Sequence, residues 1–288
     1  MTMTTPTAPT EPTAPPRPSL TSNAAPASMS TGRIRFLRHV RVIAKRSLIK
    51  TWRTPEQLID VTIQPIIFLL LFVYVFGGAI SGSMSGGRHE YLQYLLPGLM
   101  GQTIAMGSIA LGQNLNADIE KGVFDRFRSL PIGRLVPLAG AVAADFFRYL
   151  IVCVVSIGFG YVMGFRIQTN ALAAVAAVAI AICFALCFAW VSVWVGMKVR
   201  TSGAVQGIMF LLILPLSFGS STFVPVASMP GWLQAFTKVN PITQLVDVVR
   251  GLMIEGPVAS HLAWTGVWCA GLLVVFVPLA LRAYKRRV

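Results

Sequence analysis

Three histidines occur in the 288 residues, His39, His89 and His261, far apart and with no serine or cysteine constellation beside them. Acyl or phosphoryl chemistry needs a nucleophile, a base and an orienting group that converge, and this spacing does not offer them. Four cysteines, Cys153, Cys183, Cys187 and Cys269, sit inside apolar runs without the combined Cys and His spacing of a zinc site. They read as small buried hydrophobes. No Gly-x-x-x-x-Gly-Lys-Ser/Thr stretch cradles a phosphate. What remains is ion pairing and recognition. Asp145 and Arg148, three apart, form a candidate structural pair at the start of an apolar segment, and Asp247 and Arg250 repeat the spacing in a later loop. The expectation is a chain that is no enzyme, with no catalytic residue, metal or cofactor of its own.

The elements that hold these residues follow from composition. Hydrophobic residues make up 55% of the chain and charged residues 12%, about half the charged share of soluble domains. A water-soluble globule is excluded. Residues 1–32, rich in Pro, Thr, Ala and Ser, read as a disordered tail and not a signal peptide. Six apolar segments follow, at Val61–Ile80, Tyr94–Leu115, Asp145–Phe165, Ala171–Met197, Val205–Val224 and Leu262–Leu281. Each approaches the roughly 20 residues that cross a bilayer as a helix. They lack barrel alternation, so the fold class is all-α and polytopic, with six transmembrane helices. In the second span Gly98, Gly101, Ala105, Ser108 and Gly112 recur at spacings of three and four, a face that admits another helix closely. Gly160-x-x-x-Gly164 in the third is a weaker instance.

Lys and Arg set the orientation. Eighteen lie in the stretch before span one, the loops after spans two and four, and the carboxyl end; four lie in the opposite connections, Arg88, Arg166, Lys238 and Arg250. By the positive-inside rule both termini are cytoplasmic. The formal charge of +14 therefore reflects topology and anionic headgroups, not nucleic acid.

Three stretches invite function. Residues 33–53 form a basic amphipathic helix, with Phe36, Leu37, Val40, Ile43 and Leu48 on one side and Arg35, Arg38, Lys45, Arg46 and Arg53 on the other. Such a helix lies in the membrane interface, as a passive anchor or as a lever that meets a partner. The cytoplasmic loop 116–134 carries Ile119, Val123, Phe124, Phe127 and Leu130 at helical spacing, which suits insertion into a cleft of another protein. A helix resting on headgroups is the plain alternative. The external connection 225–260 is too apolar for a solvated loop. It fits two short helices dipping back from the outer face, or a cap lying flat on the membrane.

These residues also carry a resemblance. D-R-F-R-S-L-P-I at Asp125–Ile132 and A-D-F-F-R at Ala144–Arg148 resemble the ABC-2-type permease family, nearest its actinobacterial daunorubicin/doxorubicin-resistance-like members. F-V-P-V-A-S-M-P-G-W-L-Q at Phe223–Gln234 and N-P-I-T-Q-L-V-D-V-V-R-G-L at Asn240–Leu252 are similar to the same family. The likeness covers 33–288.

The resemblance implies a half-transporter in the bacterial plasma membrane. A second permease, the same chain or a relative, completes it, and two copies of a cytoplasmic subunit bind ATP and Mg. Carried over by position, Asp118, Glu120, Phe124, Asp125, Arg126, Phe127 and Arg128 couple to that subunit. Residues 33–53 correspond to the connecting helix. Trp232, Asn240, Pro241, Asp247 and Arg250 belong to an external gate. The family's path near spans two and five suggests Gln102, Thr103, Gln113, Asn114, Gln206, Phe210 and Ser217. The cargo expected is an amphiphilic or hydrophobic drug, antibiotic or lipid. Alternatives are a polysaccharide or glycolipid exporter, which calls for a wide aromatic and polar channel, and an ion-coupled secondary carrier. A non-transporting scaffold is a third. Scarce charge within the spans argues against ion coupling.

Overall fold

The computed structural model describes residues 55–77, 87–123 and 135–287. The tail 1–32, the basic stretch 33–53 and Phe124, Asp125, Arg126, Phe127 and Arg128 of the cytoplasmic loop lie outside the described residues. Among the described residues every regular element is helical.

Helix α1, Pro55–Leu70, contains Pro65 and widens into a π turn over Leu71–Phe76. Proline lacks the N–H that the helix ladder uses, so the segment does not run as one uniform rod. Helix α2 spans Gly87–Glu120, α3 Leu135–Met163, α4 Ala171–Lys198 and α5 Ser202–Phe218. Two short helices, α6 at Gly231–Val239 and α7 at Pro241–Arg250, precede a π turn at Gly251–Glu255 and the last helix, α8, at Ala259–Arg287. Four of these are long and apolar enough to cross a membrane: Gly87–Glu120, Val136–Met163, Ala171–Lys198 and Ala259–Arg287. Ile63–Val75 and Ser202–Phe218 are apolar but shorter. The fifth segment, read as extending to Val224, stops at Phe218 because the chain turns at Gly219 and runs irregularly through Thr222.

Helix α2 is the hub. It packs against α1, α3, α4, α5 and α7, and 78% of its apolar window is buried, against 11% for α8. In lipid, apolar burial gives no advantage over hydrocarbon contact, so close van der Waals packing must hold helices together. The small-residue face supplies it. A Cβ added at Gly112 would lie 2.7 Å from the Ser192 carbonyl oxygen, and one at Gly196 would lie 2.6 Å from that of Gly112. α2 and α4 thus meet backbone to backbone. Ser108 and Ser192 bridge the same seam at 3.1 Å. Higher up, Gly98 faces the Thr222 backbone and Gly101 faces Val246 of α7.

The Gly160–Gly164 pair does not act as one packing motif. Gly160 abuts Leu96 of α2, whereas Gly164 takes φ of 105° just beyond the end of α3. There Phe165 N–H donates to the Gly160 carbonyl and Gly164 N–H to the Tyr161 carbonyl, a helix stop that needs the left-handed conformation glycine allows. Of the cysteines, Cys153 and Cys187 are buried and Cys269 is partly so. Cys183 is exposed on the helix flank, contrary to the buried reading.

Helices α2, α4 and α8 finish at one end of the bundle. Lys121, Lys198, Arg200, Arg282, Lys285, Arg286 and Arg287 gather at the end where α2 and α8 finish. Asn116 donates there to the Gly196 and Val199 carbonyls at 2.9 and 2.7 Å, and Arg287 donates to the same two oxygens. These bonds satisfy backbone carbonyls that the end of α4 leaves without helical partners.

Candidate functional site

Residues 103, 106, 107, 110 and 113 fall on one face of α2 by helical periodicity, and this face forms the wall of a cavity of about 290 Å³. Arg148, Tyr149 and Val152 of α3 line a second wall, Gln206 and Phe210 of α5 a third, and Gln64 of α1 reaches in from the side. Gln113 Nε2 donates to Gln206 Oε1 at 3.3 Å, linking α2 to α5 across the space. Met106, Ile109 and Val152 add apolar surface. Mixed walls of this kind suit a ligand with an apolar body and a few polar groups.

Arg148 is 6% exposed and Asp145 9%. Arg148 Nη2 lies 2.8 Å from Asp145 Oδ2 and also donates to the Gly107 carbonyl. The guanidinium sits 5.5 Å from the centre of the Tyr149 ring. Gly107 makes room: a Cβ there would come within 3.3 Å of that ring. Helix α3 begins at Leu135, before the segment read as the third span, so Asp145 lies ten residues along the helix. That is about 15 Å at 1.5 Å per residue.

Of the residues read as a path, Thr103, Gln113, Gln206 and Phe210 line this cavity. Gln102 is buried on another face, its Oε1 without a hydrogen-bond partner among the described residues. Asn114 is half-buried outside the lining. Ser217 is fully buried near the far end of α5. Asp118 is half-buried and Glu120 exposed on the last turns of α2.

At the end opposite the basic cluster, α7 is buried along Pro241–Val249 apart from Asp247, while α6 lies outside it with Trp232 75% exposed. Asn240 joins them. Its Oδ1 caps α7 by accepting from Ile242 N–H at 2.9 Å, and its Nδ2 donates to the Leu216 and Gly219 carbonyls at 2.6 and 3.0 Å. Pro241 occupies the first helical position, where a missing N–H costs nothing. Arg250 lies 2.8 Å from Asp247 Oδ1 and donates to the Ser221 carbonyl at 2.8 Å. Its guanidinium stacks 3.8 Å from the Tyr94 ring centre, and Tyr94 donates to the same Ser221 carbonyl at 2.7 Å. Ser221 in turn donates to Asp247 Oδ1 at 2.8 Å. The start of α2, the turn after α5 and the end of α7 are thereby tied at one point.

Sequence reasoning passed over Gln64, Tyr149, Asn116, Tyr94 and Ser221. Gln64 alone carried a signal, a carboxamide inside an apolar segment. Tyr94 and Tyr149 look like ordinary apolar side chains until the fold sets their direction.

Comparison with known proteins places this architecture among transport proteins. The family described as ABC-2 type transporter matches residues 38–254. The chain is 36% identical over 233 residues to the daunorubicin resistance ABC transporter permease protein DrrB1 of Streptomyces coeruleorubidus, covering 81% of each chain. It is 26% identical over 263 residues to the "Probable doxorubicin resistance ABC transporter permease protein DrrC" of Mycobacterium tuberculosis, covering 91% of this chain and 93% of the relative. It is also 28% identical over 279 residues to the doxorubicin resistance ABC transporter permease protein DrrB of that organism, covering 93% and 96%.

Proposed function

Because the chain belongs to the ABC-2 type transporter family, a family of multi-pass membrane permeases, we propose that it is the membrane half of an ATP-driven exporter. Its cargo is an amphiphilic drug, antibiotic or lipid, moved out of a bacterial cell across the plasma membrane. Six helices span the bilayer with both termini in the cytoplasm, and a second permease, a copy or a relative, faces this one. ATP and Mg bind to two copies of a separate subunit on the cytoplasmic side.

The observation that carries this reading is the cavity between α1, α2, α3 and α5. It gathers carboxamides, a hydroxyl and one guanidinium inside an otherwise apolar bundle, which gives an amphiphile a halting place within the membrane. The last turns of α2 and the segment that follows them supply the docking surface. Asp118 and Glu120 begin it, and Asp125, Arg126 and Arg128 orient it by charge. Phe124 and Phe127 insert into the ATP-binding subunit. At the far end, Trp232, Asn240, Pro241, Asp247 and Arg250 hold the external gate.

Purification with associated proteins, followed by ATP-dependent uptake into inverted vesicles, tests the proposal. Phe124→Asp with Phe127→Asp should abolish ATP-driven uptake while the chain still inserts in the membrane. Uphill transport by the isolated chain on an ion gradient would refute it.

A further inference from the structure

The end of a helix leaves carbonyls without helical partners, and in a membrane protein other parts of the chain must bind them. At the end of α4 the Gly196 and Val199 carbonyls are taken up from two other helices. Asn116 of α2 donates to both through Nδ2, at 2.9 and 2.7 Å. Arg287 of α8 donates to both through Nη1. Asn116 is fully buried, and its Oδ1 has no partner among the described residues. The side chain is thus held by donation alone, and an apolar residue of its size would make neither bond.

The place of Val199 gives this arrangement its use. It lies beyond the last residue of α4, in the turn 199–201 that leads into α5. Both sides of the turn are closed. Val199 N–H donates to the Val195 carbonyl at 3.0 Å, and Thr201 Oγ1 caps α5 by accepting from Ala204 N–H at 3.3 Å. A corner bonded in this way passes a displacement of Val199 on to α5. Near the start of α5 stands Gln206, which lines the cavity and accepts from Gln113 of α2 at 3.3 Å. Gln113 and Asn116 are three apart, on one face of α2. The last turns of α2 therefore hold α5 at two points. One is a single exposed bond; the other is buried, doubled and braced from α8.

Asn116 stands two residues before Asp118, within the turns of α2 proposed above to dock. Resting on that reading, we infer that Asn116 is the positioning residue through which movement of the docked end of α2 reaches α5, the third wall of the cavity. Arg287 is its brace. The ends of α2, α4 and α8 and the start of α5 move as one block.

The test uses the full chain with Cys153, Cys183, Cys187 and Cys269 replaced by Ala, purified with its ATP-binding subunit and placed in nanodiscs. Two pairs of nitroxide labels are compared. Lys121→Cys with Gly203→Cys lies across the link; Lys121 is exposed, and Gly203 has nothing within 4 Å of its Cβ position. Gly203→Cys with Val154→Cys, on an exposed flank of α3, reports α5 against α3. Distances are read by pulsed electron paramagnetic resonance before and after addition of ATP and vanadate. The first pair should keep one distance in both states while the second shifts. In Asn116→Leu with Arg287→Met, the second pair should lose most of its shift and the first should broaden, with ATP hydrolysis retained. Arg287→Lys in place of Arg287→Met keeps a donor and should restore part of the shift.

A first pair that separates on nucleotide addition, with Asn116 and Arg287 intact, overturns the inference whether or not the double variant folds. So does a folded double variant whose second pair shifts as before. A chain that brings no ATP-binding subunit with it, or a second pair that ignores nucleotide while Asn116 and Arg287 are intact, refutes the docking reading and the transmission with it. That result is distinct from the other two.

Discussion

Arg250 shows how one side chain can join three elements. Its guanidinium meets a carboxylate, two backbone carbonyls and an aromatic face. Replacing it by Met leaves Asp247 and the Ser221 carbonyl short of a donor in a partly buried setting. The expected loss is about 1–3 kcal/mol, read as a lower midpoint in thermal unfolding of the purified chain. An unchanged midpoint would mean that the tie contributes nothing. The i,i+3 spacing of Asp247 and Arg250 was visible in the sequence, but their engagement of Tyr94 and Ser221 was not. Contacts across more than a hundred residues depend on which face of α2 turns inward. The same limit separates Gln102 from Thr103. Both read as polar interruptions of one span, and the 100° between neighbours on a helix puts Thr103 in the cavity and Gln102 in the packing.

Among the helices, α2 and α4 are held by closeness rather than by side-chain bulk. Gly196→Ala would push a methyl to 2.6 Å from the Gly112 carbonyl oxygen, where backbone rather than a flexible side chain must yield. Overpacking of this kind costs about 1–3 kcal/mol. Gly203→Ala, with nothing within 4 Å, serves as the contrast and should leave the thermal midpoint unchanged. Equal midpoints for the two variants would argue against a tight seam. The spacing of Gly98, Gly101 and Gly112 made a close-approach face legible, because small residues at three and four recur for few other reasons. The start of α3 was not legible in the same way. Asp145 suggested the start because charge usually ends a span, yet the helix begins ten residues earlier, and the fold adds the Gly107 carbonyl as a partner of Arg148. Helix α7 was legible only as one of two short helices in the apolar connection 225–260, with a flat external cap left open beside it. It is ten residues long, too short for hydropathy to separate a buried helix from an apolar loop.

For the molecule as a whole, the basic residues collected at one end make orientation testable. In a variant with Cys153, Cys183, Cys187 and Cys269 replaced by Ala, Glu255→Cys should react with an impermeant thiol reagent added to intact cells. Arg286→Cys should react only after the cells are opened. The reverse pattern would invert the proposed topology, and the docking segment with it.

The length of α2 carries a consequence for the membrane itself. At 34 residues the helix measures about 50 Å, while the hydrocarbon layer is about 30 Å thick. The surplus must either protrude beyond the headgroups or be taken up by leaning, and the balance shifts with bilayer thickness. If the segment that follows this helix docks as proposed, lipid thickness should alter that docking. Reconstitution in lipids of short, medium and long acyl chains should therefore change turnover while cargo binding stays constant. The cell's choice of fatty acids would then set the pace of the pump.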